Sequence, residues 1–144
     1  MTATVPDSGL SRFVEAQRSI YPAALAELRA GRKTSHWMWF VFPQIAGLGM
    51  SATAIFYAIA SEDEARAYLA HPVLGPRLRE CTNAVLDHRD KSAEAIFGPV
   101  DAMKLRSSMT LFERVGAARE PFGACLEALF DGRRDAKTLD LLGA

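Results

Sequence analysis

Apolar residues recur at intervals of three and four along most of this chain, which is the spacing of an amphipathic helix. The clearest segment follows this spacing over about four turns and has a charged opposite face; it contains Leu74, Leu78, Cys81, Val85 and His88. No segment alternates between apolar and polar residues strongly enough to require a strand. The pattern therefore predicts an all-α fold, a single compact domain of about eight to ten mostly short helices.

Proline, glycine and capping residues mark where these helices should begin and end. Pro22 is expected to end a first short helix and to open a second, which Gly31 ends in the left-handed conformation. Ser51 is expected to cap a helix that runs to residue 60, and Asp101 a longer one. Three further helices should begin at capping residues: Ser61, which forms a capping box with Glu64, Ser92 and Asp135. The 52–60 helix should bury three side chains: Ile55, Phe56 and Ile59.

The composition is that of an ordinary globular protein. The chain has 144 residues, 49% hydrophobic and 24% charged, and it fits one domain. Residues 1–9 are small and polar and are predicted to be a flexible N-terminus before a domain over 10–144. They contain no apolar segment of the kind found in signal peptides or membrane spans, so a cytoplasmic location is expected. Cys81 and Cys125 occupy apolar helix positions and should be buried, reduced thiols.

Charge and motif spacing argue against several classes of function. Seventeen basic and seventeen acidic side chains cancel, so the chain has no overall field to attract nucleic acid or an anionic membrane. RNA binding through Arg29, Arg32, Lys33 and the tryptophans is therefore disfavoured. The three histidines are far apart and no metal-binding, nucleotide-loop or nucleophile motif occurs, so neither a metal nor a cofactor is expected. Any anion site must be local.

The central stretch, residues 33–44, holds both tryptophans directly after a cationic start. Thr34 or Ser35 is expected to cap a helix here that ends near Pro43, although a run this short and aromatic could be extended. Once buried, its polar groups need hydrogen-bond partners. The stretch is either a pocket wall or a core helix with structural tryptophans. The candidate ligand-binding residues are Lys33, His36, Trp37, Trp39 and Gln44, which could stack a ring and meet a phosphate.

A second polar cluster lies near the start of the helix that Asp101 is expected to cap. Its cations and hydroxyls are the parts from which an anion site near a helix start is built: Lys104, Arg106, Ser107, Ser108 and Thr110. The alternative is a solvated helix face whose hydroxyls bond back to helix carbonyls. The ligand interpretation gains weight if both clusters face one cleft.

Three motifs resemble one uncharacterised bacterial family, catalogued as domain of unknown function 1810. They are residues 31–44 with 47–49, residues 68–75, and residues 101–112. The resemblance extends from about Phe13 to Leu142 and implies a small helical bacterial protein. Some members are labelled calpastatin, but that inhibitor is a disordered repeat protein, and a compact chain with 49% hydrophobic residues is unlike it.

A looser resemblance concerns the order of the short helices, with an aromatic His motif early and a Lys-Ser-Met-Phe helix late. This order is similar to that of helical N-glycosidases acting on ADP-ribose or on phosphorylated riboflavin intermediates. Those enzymes have a glutamate just before the histidine, where this chain has Ser35. The obvious general acid or base is therefore missing, and His36 is the candidate catalytic residue.

The favoured hypothesis is a pocket for a phosphorylated nucleotide-like or flavin-like molecule, with N-glycosyl hydrolysis as the candidate reaction. Lys33 and Arg106 would meet the anion, and Trp37 or Trp39 would stack on the ring. The alternative is a non-enzymatic protein-interaction or regulatory module in which the same aromatics belong to the core. Whether the protein is an enzyme stays open at this point.

Overall fold

The computed structural model describes residues 9–143, and the predicted flexible segment 1–9 lies outside this part except for Gly9. The described residues form nine helices, which confirms the all-α prediction. They are α1 (Ser11–Arg29), α2 (Met38–Val41), α3 (Ala52–Phe56), α4 (Glu62–Ala70), α5 (Leu74–Leu86), α6 (Ala93–Phe97), α7 (Pro99–Val115), α8 (Phe122–Phe130) and α9 (Ala136–Leu141).

Helix α1 is continuous through Pro22, so the predicted break at this proline is wrong. Proline removes one backbone donor and its ring crowds the preceding turn, which disfavours a helix. One buried face nevertheless runs along both sides of Pro22: Phe13, Gln17, Tyr21, Ala24, Leu25 and Leu28. Burial of this face compensates for the missing hydrogen bond. Gly31 follows the helix with φ of +76°, as its predicted role at the helix end requires.

Helix α7 is the central element of the fold and packs against α4, α6, α8 and α9. The predicted cap is wrong, since Gly98 takes the N-cap position and Pro99 follows it, while Asp101 lies two residues further along, still in the first turn. Gly98 has φ of +79°, a conformation that L side chains rarely adopt. The core-facing side of α7 supplies Ala102, Leu105, Met109, Leu111 and Phe112 to one contiguous core.

The segment that follows α2 differs from its predicted helix. Helix α3 ends at Phe56, and Ile55 and Phe56 are 61% and 59% exposed, so only Ile59 of the predicted buried stripe is in the core. Ile59 instead forms a parallel bridge with Ile45, with its amide donating to the Gln44 carbonyl at 2.8 Å. This pairing satisfies buried backbone groups that a longer helix would have satisfied internally.

Other predicted ends of helices are confirmed. Ser61, Ser92 and Asp135 each accept a hydrogen bond from the backbone amide three residues on. The reciprocal hydrogen bond of a capping box is not formed at Ser61. Glu64 accepts from the Ala60 amide at 2.8 Å and not from the amide of Ser61.

Both cysteines are free and buried, as predicted. Burial raises the pKa of Cys81 and of Cys125 to about 12, so neither thiol is ionised at neutral pH. Within residues 9–143, no helix is both long and apolar enough to cross a membrane.

Candidate functional site

The segment before α2 is held by a carboxylate from α1. Neither Thr34 nor Ser35 caps α2, which is another correction to the predicted helix, because Trp37 takes the N-cap position and contributes no side-chain cap. The amides of Thr34 and Ser35 instead donate to Glu27 Oε1 at 2.7 and 3.1 Å, and the Trp37 indole Nε1 donates to the same oxygen at 2.9 Å. Glu27 thus holds residues 34–37 against α1.

The pKa of Glu27 reflects this arrangement. Partial burial alone would raise the pKa, but hydrogen bonds from the Ser35 hydroxyl, the Thr34 amide, the Trp37 indole and the Ser35 amide together outweigh it and lower the pKa to about 2. Glu27 is therefore ionised at neutral pH.

The two tryptophans have different environments. Trp37 is fully buried and its ring packs 6.3 Å from that of Phe42, so it belongs to the core. Trp39 is half-buried and lines the surface cavities around α2. Helix α2 is anchored from beneath, because the buried amide of Gln17 donates to the Phe40 carbonyl at 2.7 Å. Trp39 is therefore presented to solvent from a fixed backbone.

One cavity brings together two residues of the first predicted cluster and three of the second. It has a volume of about 500 Å³, and its polar lining includes Trp39, Gln44, Lys104, Arg106, Ser107 and Lys137. We call this cavity the basic groove. Its walls come from α2, the loop before α3, α7 and the start of α9. Part of each predicted cluster thus lines one cavity.

Arg106 is the most firmly positioned cation of the basic groove. Its Nε donates to the Arg133 carbonyl at 2.8 Å and its Nη2 donates to the Arg134 carbonyl at 3.0 Å. A guanidinium has five N–H donors, so these two bonds leave donor capacity for a ligand. The same bonds fix the backbone that leads into α9, which places Lys137 on the groove wall.

The hydroxyls of the second cluster are largely committed to the protein. Ser107 Oγ donates to the Lys104 carbonyl at 3.1 Å and accepts from Gln44 Nε2 at 2.5 Å. Thr110 Oγ1 donates to the Arg106 carbonyl at 2.8 Å. Ser108 is fully buried, has no hydrogen-bond partner for its hydroxyl, and does not line the basic groove. Ser107 and Thr110 therefore match the alternative prediction for this face, in which the hydroxyls bond back to helix carbonyls.

A second cavity of about 340 Å³ adjoins the groove and contains Lys33, His36, Asp101 and Lys104 in its lining. We call it the Asp101 pocket. Lys33 Nζ lies 2.8 Å from Asp101 Oδ2, and its side chain is only 6% exposed, so this cation is already paired. Lys104 Nζ lies 3.5 Å from Asp101 Oδ1 and 4.6 Å from the centroid of the Trp39 ring. His36 is exposed at the pocket.

The structure also adds residues that the sequence prediction did not include. Lys137 joins the groove across the fold, and nothing in the sequence around it indicates this. Asp101 was assigned to helix capping, yet its spacing of three residues from Lys104 could have indicated a side-chain pair. Met50 and Met103 lie on the groove rim, where they are 85% and 72% exposed. Within residues 9–143, no group of three or more His, Cys, Asp or Glu side chains is placed to hold a metal ion.

The fold is that of a small all-α protein built around one hydrophobic core. The chain belongs to the family described as Protein of unknown function (DUF1810), whose model matches residues 7–142. This confirms the resemblance carried by the three motifs.

A solved structure is similar over nearly the whole chain. It is the crystal structure of the conserved hypothetical protein Rv1873 from Mycobacterium tuberculosis, with 52% sequence identity and a TM-score of 0.91. The match covers 94% of this chain and 96% of that one. Among proteins with curated descriptions, none matches. The looser resemblance to N-glycosidases stays a prediction.

Proposed function

We propose that the protein binds a phosphorylated, ring-bearing small molecule, nucleotide-like or flavin-like, in the basic groove. The observation that carries the proposal is the convergence of Trp39, Lys104 and Arg106 on one cavity of about 500 Å³. A cavity of 300–1,000 Å³ is the usual size of a small-molecule site.

The charge of the basic groove supports an anionic ligand. Lys104, Arg106 and Lys137 line it, against one carboxylate, Asp135. Asp135 Oδ2 accepts from the amide and the hydroxyl of Thr138 at 3.0 and 2.6 Å, so this carboxylate serves as the cap of α9. The groove is therefore locally cationic although the whole chain has a net charge of zero.

The apolar part of the groove supports a flat ring. Met50, Val100 and Met103 are 85%, 65% and 72% exposed along its edge, and Trp39 lies beside them. Methionine side chains adapt to the faces of aromatic rings, and tryptophan offers a large stacking surface. The cations of the groove would then bind the phosphate, and the rim would stack against the ring.

N-glycosyl hydrolysis is the reaction that we propose for such a ligand, with His36 as the group that moves a proton. Water adds to the sugar carbon and gives one proton to the imidazole, the glycosidic bond breaks, and the departing nitrogen takes a proton from the imidazole. An exposed imidazole can donate or accept that proton near neutral pH. The support is the place of His36 in the Asp101 pocket, which adjoins the groove.

The binding proposal is tested with matched pairs of ligands that differ only in the phosphate. Thermal shift with flavin mononucleotide against riboflavin, and with adenosine monophosphate against adenosine, should show stabilisation by the phosphorylated members. A ligand at a hundredfold excess over its Kd adds about 2.7 kcal/mol to the free energy of unfolding. Equal responses to both members of each pair would refute the anion role of the groove.

Variants then localise the binding. Lys104→Ala and Lys137→Ala should each lower the affinity for the phosphorylated member at least tenfold, because charge-assisted contacts are among the stronger ones. Arg89→Ala removes an exposed cation outside both cavities and should leave the affinity unchanged. Chromatography of the ligand after incubation with the protein shows whether a free base is released. An unaltered affinity in both lysine variants would place the ligand elsewhere.

A further inference from the structure

The basic groove and the Asp101 pocket share one wall. Three residues line both cavities, Trp39, Val100 and Lys104. The Lys104 ammonium is central to this wall, since it contacts the Trp39 ring on one side and the Asp101 carboxylate on the other. A ligand that spans the wall would meet Lys104 from either cavity.

The two cavities differ in what they can recognise. The groove is cationic, whereas the Asp101 pocket contains a carboxylate, which can only accept hydrogen bonds when ionised. A carboxylate has about four acceptor positions, and the ion pairs with Lys33 and Lys104 occupy two of them. The flanking lysines also keep Asp101 from attracting a cation. The pocket therefore suits a neutral group that donates hydrogen bonds, and neighbouring hydroxyls of a sugar have this character.

The geometry points to a single ligand that occupies both cavities. We propose that Asp101 binds the vicinal hydroxyls of a pentose whose phosphate lies in the basic groove near Arg106. Asp101 and Arg106 are five residues apart on α7, a rise of about 7.5 Å along the axis with a rotation of about 140° around it, so they face the two adjoining cavities. A pentose phosphate that crosses the shared wall would reach both cavities. Lys104 lies between them on the same helix. The inference rests on the proposed function and names the part of the ligand that joins the phosphate to the ring.

Ligand pairs that differ in one hydroxyl test the inference without changing the protein. Calorimetric titrations would use ribose 5-phosphate, 2-deoxyribose 5-phosphate and inorganic phosphate. The wild-type protein should bind ribose 5-phosphate at least about tenfold more tightly than the deoxy compound, because a hydrogen bond to a charged group is lost. Inorganic phosphate should bind more weakly than either.

Asp101→Asn then assigns the discrimination to one side chain. The ratio of affinities for ribose 5-phosphate and its deoxy analogue should fall to about one, since the amide replaces one acceptor oxygen by a donor and removes the charge that strengthens both hydrogen bonds. Affinity for inorganic phosphate should not fall, because the substitution removes a negative charge beside Lys104. Asp90→Asn is the matched control, because Asp90 is exposed and lies outside both cavities. Asp101→Glu keeps the charge paired with buried Lys33 and should lose the discrimination even if the Asn variant does not fold.

The outcomes separate the two proposals. Discrimination in the wild type that disappears in the Asp101 variants supports the inference. Equal binding of ribose 5-phosphate and its deoxy analogue would overturn it while leaving the anion site intact. Discrimination that survives both Asp101 substitutions would also overturn it. If neither sugar phosphate nor inorganic phosphate binds, and the nucleotide pairs also fail, both proposals are rejected together.

Discussion

Glu27 and Trp37 are joined by a hydrogen bond of 2.9 Å from the indole Nε1 to the Oε1 of the carboxylate. The same carboxylate accepts from the amides of Thr34 and Ser35, so one side chain of α1 holds the turn that leads into α2. This contact directs Trp37 into the core. It leaves Trp39, two residues further along the chain, facing the cavities on the opposite side of α2.

The first prediction concerns the pH dependence of stability. Glu27 has its pKa lowered from the ordinary value of 4.5 to about 2 in the folded state. A lowered carboxyl pKa stabilises the fold above the ordinary value, and this contribution disappears as the pH falls from about 4.5 to about 2. Glu27→Gln should lower the free energy of unfolding at pH 7 by about 1–3 kcal/mol and flatten its slope in this pH window.

Urea melts between pH 2 and pH 7 check this prediction. Glu15→Gln is the control, because Glu15 forms an exposed pair with Arg18 that should contribute little. If the two variants lose stability equally, the role of Glu27 as the clamp of this turn is wrong.

The second prediction separates the two tryptophans. Trp37→Ala should cost about 3–5 kcal/mol of unfolding free energy, as for other large side chains removed from a core. Trp39→Ala removes a half-buried ring and its contact with the Lys104 ammonium, at a cost of about 1 kcal/mol. Only the Trp39 variant should lose affinity for flavin mononucleotide while its fold persists. Denaturant melts beside ligand titrations measure both quantities, and an intact affinity in Trp39→Ala would contradict the stacking role.

The third prediction concerns two adjacent serines. Ser108 Oγ is buried without a hydrogen-bond partner, so Ser108→Ala should leave stability unchanged or raise it by about 1 kcal/mol. Ser107→Ala breaks the bond from Gln44 and leaves that amide without its partner, so it should cost about 1 kcal/mol and weaken ligand binding. Thermal melts with and without flavin mononucleotide measure the stability and the ligand binding of both variants. A clear loss of ligand affinity in Ser108→Ala would show that Ser108 does contribute to the binding site.

The fourth prediction concerns His36. Because His36 is exposed, His36→Ala should change the free energy of unfolding by no more than about 0.5 kcal/mol. The same variant should reduce ligand turnover or affinity if His36 serves the Asp101 pocket. His88→Ala is a useful comparison, since His88 Nε2 lies 2.7 Å from the Arg29 carbonyl outside both cavities and its loss should affect stability alone. A His36 variant that is destabilised but binds and reacts normally would exclude the functional role.

Several features were predictable because they depend on local chemistry. Spacings of three and four indicated the helices, and the side chains of Ser61, Ser92 and Asp135 cap their helices by bonding to amides only three residues away. The two cysteines were placed in the core by the apolar faces on which they lie. The three family motifs were recognisable because they are contiguous in sequence.

The errors arose where distant groups compete with local preference. Pro22 argues for a break when only its own turn is considered, but the face from Phe13 to Leu28 packs as a unit. Ile59 matches a helical stripe in sequence, yet pairing with Ile45 gives its backbone a better partner. Both outcomes depend on contacts that cannot be seen until the chain is folded.

The amino-acid sequence by itself determined the helical class, several ends of helices, the family and the two polar clusters, because each of these depends on residues within a few positions of one another. The tertiary structure decided which members of the clusters share a cavity. It buried Trp37 against Glu27, paired Lys33 with Asp101, and brought Lys137 to the wall opposite Trp39. The physical reason is that burial and charge pairing at a site are set by helices packed from all sides, and periodicity along one helix carries no information about what faces it.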